Sequence, residues 1–452
     1  MKFLFLAVPL LLLLTSCREP EPFPENERDD RLSGGVNTVF DATSKSFSHE
    51  FPNLPAYDLS IHELGDRQFS ATFVAAPAPV NSGLGPIYNN VSCISCHHND
   101  GIGVPTAGEQ QSSLLLRVSV PGVDSHGGPS PVPGLGTQLQ DKAIFGFSPE
   151  GTVTISYSYQ SSSFPDGETF ELRVPTYSIN GATLPAGVMI SPRLAPPVIG
   201  LGLLEALPAL EILSHEDEND VDGDGISGKA NEVWDPTTNS MQLGRFGWKA
   251  NTASLLAQVA TAFQQDIGVT NRVLPVESSR GQQQDDRRSD DPELPDSILQ
   301  AVKFYVQSLS VPARRNVTDP GVVRGEQLFT EAKCSRCHLE TMTTGVNVAF
   351  PAASNQVIHP YTDLLLHDMG PGLADGRPDF KADGQEWRTA PLWGVGLFST
   401  VNYPPYYLHD GRARSLVEAI MWHGGEADSS KDFFRLLKSS DRQALIEFLN
   451  SL

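Results

Sequence analysis

The residues with the most chemistry to offer are two short strings far apart in the chain, Cys93-Ile94-Ser95-Cys96-His97 and Cys334-Ser335-Arg336-Cys337-His338. C-x-x-C-H is the attachment signal for c-type haem. Its two thiols add across the porphyrin vinyl groups, and the next histidine reaches the iron as proximal ligand. The spacing suits that chemistry because one helical turn brings both sulfurs and the imidazole to one side of the chain. Three other chemistries compete. A zinc ribbon needs cysteine pairs about 15–20 residues apart; these are much more widely separated, although a fold could unite them. A thioredoxin-type redox pair would follow a βαβ pattern and would not require the histidine. Structural disulfides are permitted outside the cytoplasm, yet C-x-x-C bridges are unusual staples. Every cysteine except Cys17 falls in the same motif, which favours two covalently bound haems c.

Cys17 belongs to a different signal. Lys2 supplies a positive start, Phe3 to Leu14 is apolar apart from Pro9, and Leu14-Thr15-Ser16-Cys17 follows. That stretch is short of the roughly 20 residues a spanning helix needs, so it reads as a removable signal. Its ending resembles the lipobox of bacterial lipoproteins, in which the cysteine is lipidated. The reading is a signal peptide over 1–16, a lipid on Cys17 and a disordered tether over 17–35. The alternative is an ordinary signal peptide with Cys17 incidental. The lipoprotein reading places the protein in a bacterial cell envelope, on the periplasmic side or at the outer membrane, and makes a membrane its first partner. Haem attachment outside the inner membrane agrees with export.

The elements that must position these motifs follow from the rest of the chain. At 452 residues it has material for two or three domains. Its 54 acidic against 32 basic residues argue against nucleic acid as a partner. With 39 glycines and 35 prolines, long loops are expected around compact elements. Gly325-Glu326-Gln327-Leu328-Phe329 precedes Lys333-Cys334 and looks like the first helix of a cytochrome c domain. Ser440 and Gln443 form a capping box ahead of an apolar stripe, Ala444, Leu445, Phe448 and Leu449, which predicts a terminal helix. Residues 315–452 are therefore one haem domain.

The other haem domain is read as 36–300. Val153, Ile155, Tyr157 and Tyr159 alternate with polar residues, as do Phe170, Leu172 and Val174 beyond the turn Pro165-Asp166-Gly167. This predicts a β-hairpin inserted over about 150–176. Helical spacing recurs at Leu255, Leu256, Val259, Phe263 and Ile267, and at Ile298, Val302, Tyr305 and Leu309. The polar stretch Glu277 to Pro295 reads as an exposed loop or linker. The fold class is thus mainly α, two cytochrome c-like haem domains, the first enlarged by the hairpin and long loops. Within it, Asp220-Val221-Asp222-Gly223-Asp224-Gly225 matches the start of an EF-hand calcium loop over 220–231. Asp220, Asp222, Asp224 and the carbonyl of Ile226 would bind Ca²⁺. Asn231 stands where the bidentate glutamate belongs, and a solvated acidic loop is the alternative.

Several strings together resemble the di-haem oxidoreductase family, whose members are described as peroxidases and sometimes as thiol oxidoreductases. They are Gly83-Leu84-Gly85-Pro86-Ile87-Tyr88-Asn89, Arg193-Leu194-Ala195-Pro196-Pro197-Val198-Ile199-Gly200, Gly244-Arg245-Phe246-Gly247-Trp248-Lys249-Ala250, Asp363-Leu364-Leu365-Leu366-His367-Asp368-Met369-Gly370, Glu386-Trp387-Arg388-Thr389-Ala390-Pro391-Leu392-Trp393 and His409-Asp410-Gly411-Arg412-Ala413. A more distant resemblance is to bacterial di-haem cytochrome c peroxidases. That resemblance implies peroxide reduction at the N-terminal haem, with electrons entering at the C-terminal one and calcium between the domains. It places His126 as a distal histidine and Glu205 as a proton-carrying acid; a helix-surface acid is the alternative for Glu205. Gln140 stands where those peroxidases carry a coupling tryptophan. Trp248 is an alternative relay, or core packing. The same resemblance implies His423 as the second iron's other ligand, since 416–423 resembles the helix on which those peroxidases carry an axial methionine, with Met369 competing.

The function these readings imply is that of an exported di-haem c-type oxidoreductase of peroxidase type. Its partners would be hydrogen peroxide and an electron-donor protein or small reductant. The alternatives are an electron-transfer lipoprotein with two six-coordinate haems and an enzyme oxidising another protein or small reductant.

Overall fold

The structure, a computed structural model, describes residues 29–106 and 112–452. Along the chain come helix α1 (Ala56–Phe69), strand β1 (Leu114–Val123), the hairpin strands β2 (Thr152–Ser163) and β3 (Thr169–Asn180), and strand β4 (Met189–Leu194). Helices α2 (Leu201–Glu205), α3 (Leu255–Thr261), α4 (Asp296–Gln307) and α5 (Pro320–Glu331) follow, then α6 (Leu416–Trp422), α7 (Asp428–Leu436) and α8 (Ser439–Ser451). Proline and serine set several starts. Pro55, Pro295 and Pro320 open α1, α4 and α5, where a missing N–H costs nothing. Ser254 and Ser415 cap α3 and α6, accepting from Ala257 N at 3.2 Å and Glu418 N at 3.1 Å.

Helix takes 28% of the chain and strand 20%, so the mainly helical expectation understates the β content. The hairpin is present and longer than its alternating core, pairing Thr152 with Asn180 through to Ser163 with Thr169. A four-stranded sheet is added to it: β1 pairs antiparallel with β4, from Leu114 opposite Leu194 to Ser119 opposite Met189. Leu114-Leu115-Leu116 is a continuous apolar run, which gives no alternation to read.

Other expectations shift by a turn or less. α8 starts at Ser439 with Lys438 as its N-cap, and no capping side-chain bond is made. The Ser440–Gln443 box is therefore absent, because Ser440 already lies inside the first turn. The helix from Leu255 passes at Ala262 into a π-helical turn ending at Ile267. Residues 31–35, expected as the end of a tether, are packed: Arg31 and Ser33 carbonyls accept from Arg314 and His359 backbone N–H. Polar side chains gave no hint of a segment held through its main chain. The stretch Glu277–Pro295 carries no helix or strand, yet Glu277 is buried and desolvation pushes it up to about 7.

Residues Arg31 to Leu452 form one unit. A single apolar core runs through both expected domains, from Phe47 and Leu116 through Phe263 and Tyr305 to Phe329, Phe448 and Leu452. α5 and α8 pack closely enough that a β-carbon at Gly325 would overlap the Ala444 carbonyl oxygen. The hairpin then reaches across to the C-terminal part. Arg442 of α8 donates to Asp166 and Glu168 at its tip, both at 2.6 Å, and stacks over Phe164. Further along, Arg173 donates through Nε to the Arg412 carbonyl at 3.0 Å, and its N–H reaches Glu418 at 2.6 Å.

Candidate functional site

Both C-x-x-C-H motifs open into one cavity of about 650 Å³, lined by Cys93, Cys96 and His97 and by Cys334, Cys337 and His338. Each motif sits on a short turn, the second on a one-turn helix from Cys334 to Arg336. The four thiols form no disulfide. They face the cavity instead of bulk water, and that desolvation pushes Cys93, Cys96 and Cys334 up to about 12. A redox C-x-x-C pair works by a lowered thiol pKa; these move the other way. Nor do the pairs converge on a zinc site. Among the described residues, the groups of three or more candidate ligands within 4.8 Å are acidic only, Asp217–Asp220–Asp222 and Glu277–Asp285–Asp286.

The histidines share one arrangement. Nδ1 of His97 donates to the Pro196 carbonyl at 2.7 Å, and Nδ1 of His338 to the Tyr361 carbonyl at 3.0 Å. A carbonyl can only accept, so Nδ1 carries the proton and Nε2 keeps its lone pair, as an iron ligand must. Desolvation drops both rings to about 4, so they are neutral. His423, at the end of α6, repeats the pattern: its Nδ1 donates to the Ala419 carbonyl at 2.8 Å and the ring lines the same cavity. His338 and His423 lie within electrostatic reach of one another. For His97 the histidine within that reach is the adjacent His98, and buried His409 lines the same cavity, stacked on Trp387. Met369 also lines the cavity, packed with Leu373, Trp387 and Trp422.

Oriented neutral imidazoles, paired thiols and an apolar chamber fit two haems. The profile of the family described as "di-haem oxidoreductase, putative peroxidase" matches residues 28–452. The chain belongs to the di-haem oxidoreductase family. No curated protein matches it. Among solved structures, this di-haem oxidoreductase is similar to hydrazine synthase of Kuenenia stuttgartiensis, in a crystal pressurised with xenon. The identity is 15% and the TM-score 0.35, over 88% of this chain and 94% of that one.

The cavity does not collect every residue the sequence pointed to. His126, expected over the first iron, lies on an exposed turn with its ring stacked on Trp234 at 4.0 Å, outside the cavity lining. Glu205 ends α2 and is engaged at both oxygens. It accepts Leu255 N at the start of α3 at 2.8 Å and Gln307 Nε2 of α4 at 2.7 Å. It ties three helices together and does not line the cavity. Glu205→Gln is therefore expected to lower the unfolding free energy by about 1 kcal/mol and to leave turnover within about threefold. Denaturant titration alongside steady-state assay would measure both, and a loss of a hundredfold in turnover would restore the acid role. Gln140 is buried, donating to the Gln265 carbonyl at 3.1 Å. Trp248 lines the cavity and donates to the Leu194 carbonyl at 2.7 Å.

In the calcium-type loop, carboxylates of Asp217, Asp220 and Asp222 come together. Asp224 is drawn away to Arg336 inside the second haem motif, at 3.1 Å. Ile226 lines the cavity, and Asn231 points elsewhere, donating to the Lys249 and Asp379 carbonyls. Asp217 is the carboxylate the loop pattern missed, since it precedes the recognisable run.

Other cavity residues also escaped the sequence. His367 lies 2.8 Å from Asp363 through Nε2 and 2.7 Å from Glu426 through Nδ1. Both ring nitrogens face carboxylates and must donate, so the ring is an imidazolium. Burial opposes that charge, but Asp363 and then Cys337 hold its pKa well above the usual range. The i, i+4 spacing of Asp363 and His367 was the available signal. Asp266 faces the cavity beside the first motif, accepts Gln138 Nε2 at 2.7 Å, and is raised by desolvation. No motif marks it.

Proposed function

We propose that this protein is an envelope-exported, lipid-anchored di-haem c-type oxidoreductase that reduces peroxide. Electrons enter at the His338–His423 site and peroxide is reduced at the His97 site. The observation that supports this is the setting of His338: His423, its own Nδ1 committed to the Ala419 carbonyl, lines the same cavity within electrostatic reach of it, whereas the histidine acting on His97 is the adjacent His98. A site that both His338 and His423 would hold suits electron storage, and a site held by His97 would have room for peroxide. Haem, when bound, supplies the one-electron chemistry and the metal at which an O–O bond can be cleaved. The chain supplies the rest. Pro196 and Tyr361 carbonyls fix the proximal rings, and the apolar lining keeps bulk water away. Asp266 is the carboxyl we assign to moving a proton at the first site.

Mass spectrometry of protein matured with a working cytochrome c assembly system should show two haem additions, one per cysteine pair, and a lipid on Cys17, which lies outside the described residues. Zinc without haem would sink the reading. Spectra in each oxidation state should show one site open to peroxide and carbon monoxide after reduction. Two low-spin haems inert to both would make the protein an electron carrier. Among the described residues no helix is long and apolar enough to cross a membrane.

Calcium belongs to the same proposal, held by Asp217, Asp220 and Asp222 with water completing the six to eight oxygens it prefers. Arg336 lies 3.7 Å from Asp222 and carries any movement of the loop into the second motif. Chelation should therefore shift the spectrum of the His338 site, and Asp222→Ala should reproduce the shift and abolish the response. Protein that contains no calcium when prepared without chelator would remove the metal from the proposal.

A further inference from the structure

One wall of the cavity is rich in guanidinium groups. Arg117, Arg193 and Arg377 all line it and lie within electrostatic reach of one another. With buried Lys249 they face the carboxylates of Asp375 and Asp379 and the carboxyl of Asp266. Lys249 is fully used, donating to Asp375 at 2.9 Å and to the Arg377 and Asp383 carbonyls.

The guanidinium groups are not. Arg377 is only 2% exposed, and its Nε has no hydrogen-bond partner among the described residues while Nη1 holds Asp379 at 3.0 Å. Arg193 commits Nε to Ser191 at 2.6 Å and Nη2 to Asp375 and Asp379 at 3.5 and 3.4 Å, leaving Nη1. Arg117 donates through Nη1 to Gln265, leaving Nε and Nη2. An unpartnered buried donor on a charged group, as at Arg377 Nε, is costly, and desolvation already pulls Arg193 down to about 10. Forked, planar donors left open along the cavity wall match a carboxylate, which accepts bidentate bonds and brings a negative charge.

We propose that Arg117, Arg193 and Arg377 form a carboxylate-binding pocket in the cavity wall, occupied by a haem propionate or by a small organic acid. The pocket joins the two parts of the chain, since Arg193 precedes the Pro196 that orients His97 while Arg377 comes from the C-terminal part. The propionate source rests on the haem reading, and haem loading is measured separately by pyridine haemochrome assay, so the two can fail independently.

The test uses holoprotein and the variant Arg117→Gln, because Arg117 stands outside the Arg193–Asp375–Lys249 network. If a propionate occupies the pocket, the propionate bending band in the resonance Raman spectrum falls in Arg117→Gln, and acetate changes nothing. If the pocket takes a free acid, acetate gives a saturable Soret shift in wild type and binds at least about tenfold more weakly to Arg117→Gln, the usual worth of a charged hydrogen bond. Arg117→Lys, which keeps the charge and loses the fork, should fall between in either arm. Fully loaded protein in which Arg117→Gln alters neither the Raman band nor any response to acetate would overturn the proposal.

Discussion

Replacing His423 with glycine should leave the second haem site short of a ligand, turning a low-spin spectrum into a high-spin or water-ligated one while the His97 site keeps its own. The expectation rests on three features of His423: its Nδ1 is committed to the Ala419 carbonyl, its ring lines the shared cavity, and it lies within electrostatic reach of His338. His423→Met should keep six-coordination and raise the reduction potential, by on the order of a few tenths of a volt given the span that axial ligands cover. Met369→Leu is the companion measurement. It should leave spin state and potential near wild type, because Met369 packs among Leu373, Trp387 and Trp422. A spin-state change in Met369→Leu, with His423→Gly silent, would transfer the ligand role to the methionine.

Asp266→Asn carries the other large expected effect. Peroxide cleavage needs a proton moved between two oxygens, and Asp266 is a cavity-facing carboxyl that desolvation holds above the ordinary aspartate range. Asparagine keeps the shape and can still accept from Gln138 Nε2, but it cannot exchange a proton. Turnover should fall by about two to four orders of magnitude, the usual worth of a positioned acid–base group, with both haem spectra unchanged. A loss within threefold would remove Asp266 from the proton path.

The parts legible in the sequence were those whose information is local. The cysteine pairs, the alternation of Val153 to Tyr159 and the apolar stripe of α8 each declare themselves within a dozen residues. What was not legible depends on distant partners. His126 and Glu205 were placed by resemblance, yet what surrounds each is decided by tertiary neighbours, Trp234 for one and Leu255 with Gln307 for the other. Asp266 and Arg117 gain their character from a cavity whose walls are assembled from the whole chain. The carbonyls of Pro196 and Tyr361, which fix the ligand tautomers, are invisible to any reading of side chains.

The strand pairing that closes the chain on itself has a consequence for timing. Thr38 and Val39 pair in parallel with Val311 and Pro312, and the tip of the hairpin waits for Arg442. Contacts across such sequence separations form late, because the intervening loop must first be ordered. An emerging chain therefore exposes Cys93 and Cys96 well before the residues that roof their chamber have been made. If haem is attached as proposed, an attachment enzyme would meet the first motif on an open polypeptide, and the second when only α6 to α8 and their approaches remain to fold over it. The fold would then be completed around its cofactors instead of opening to admit them.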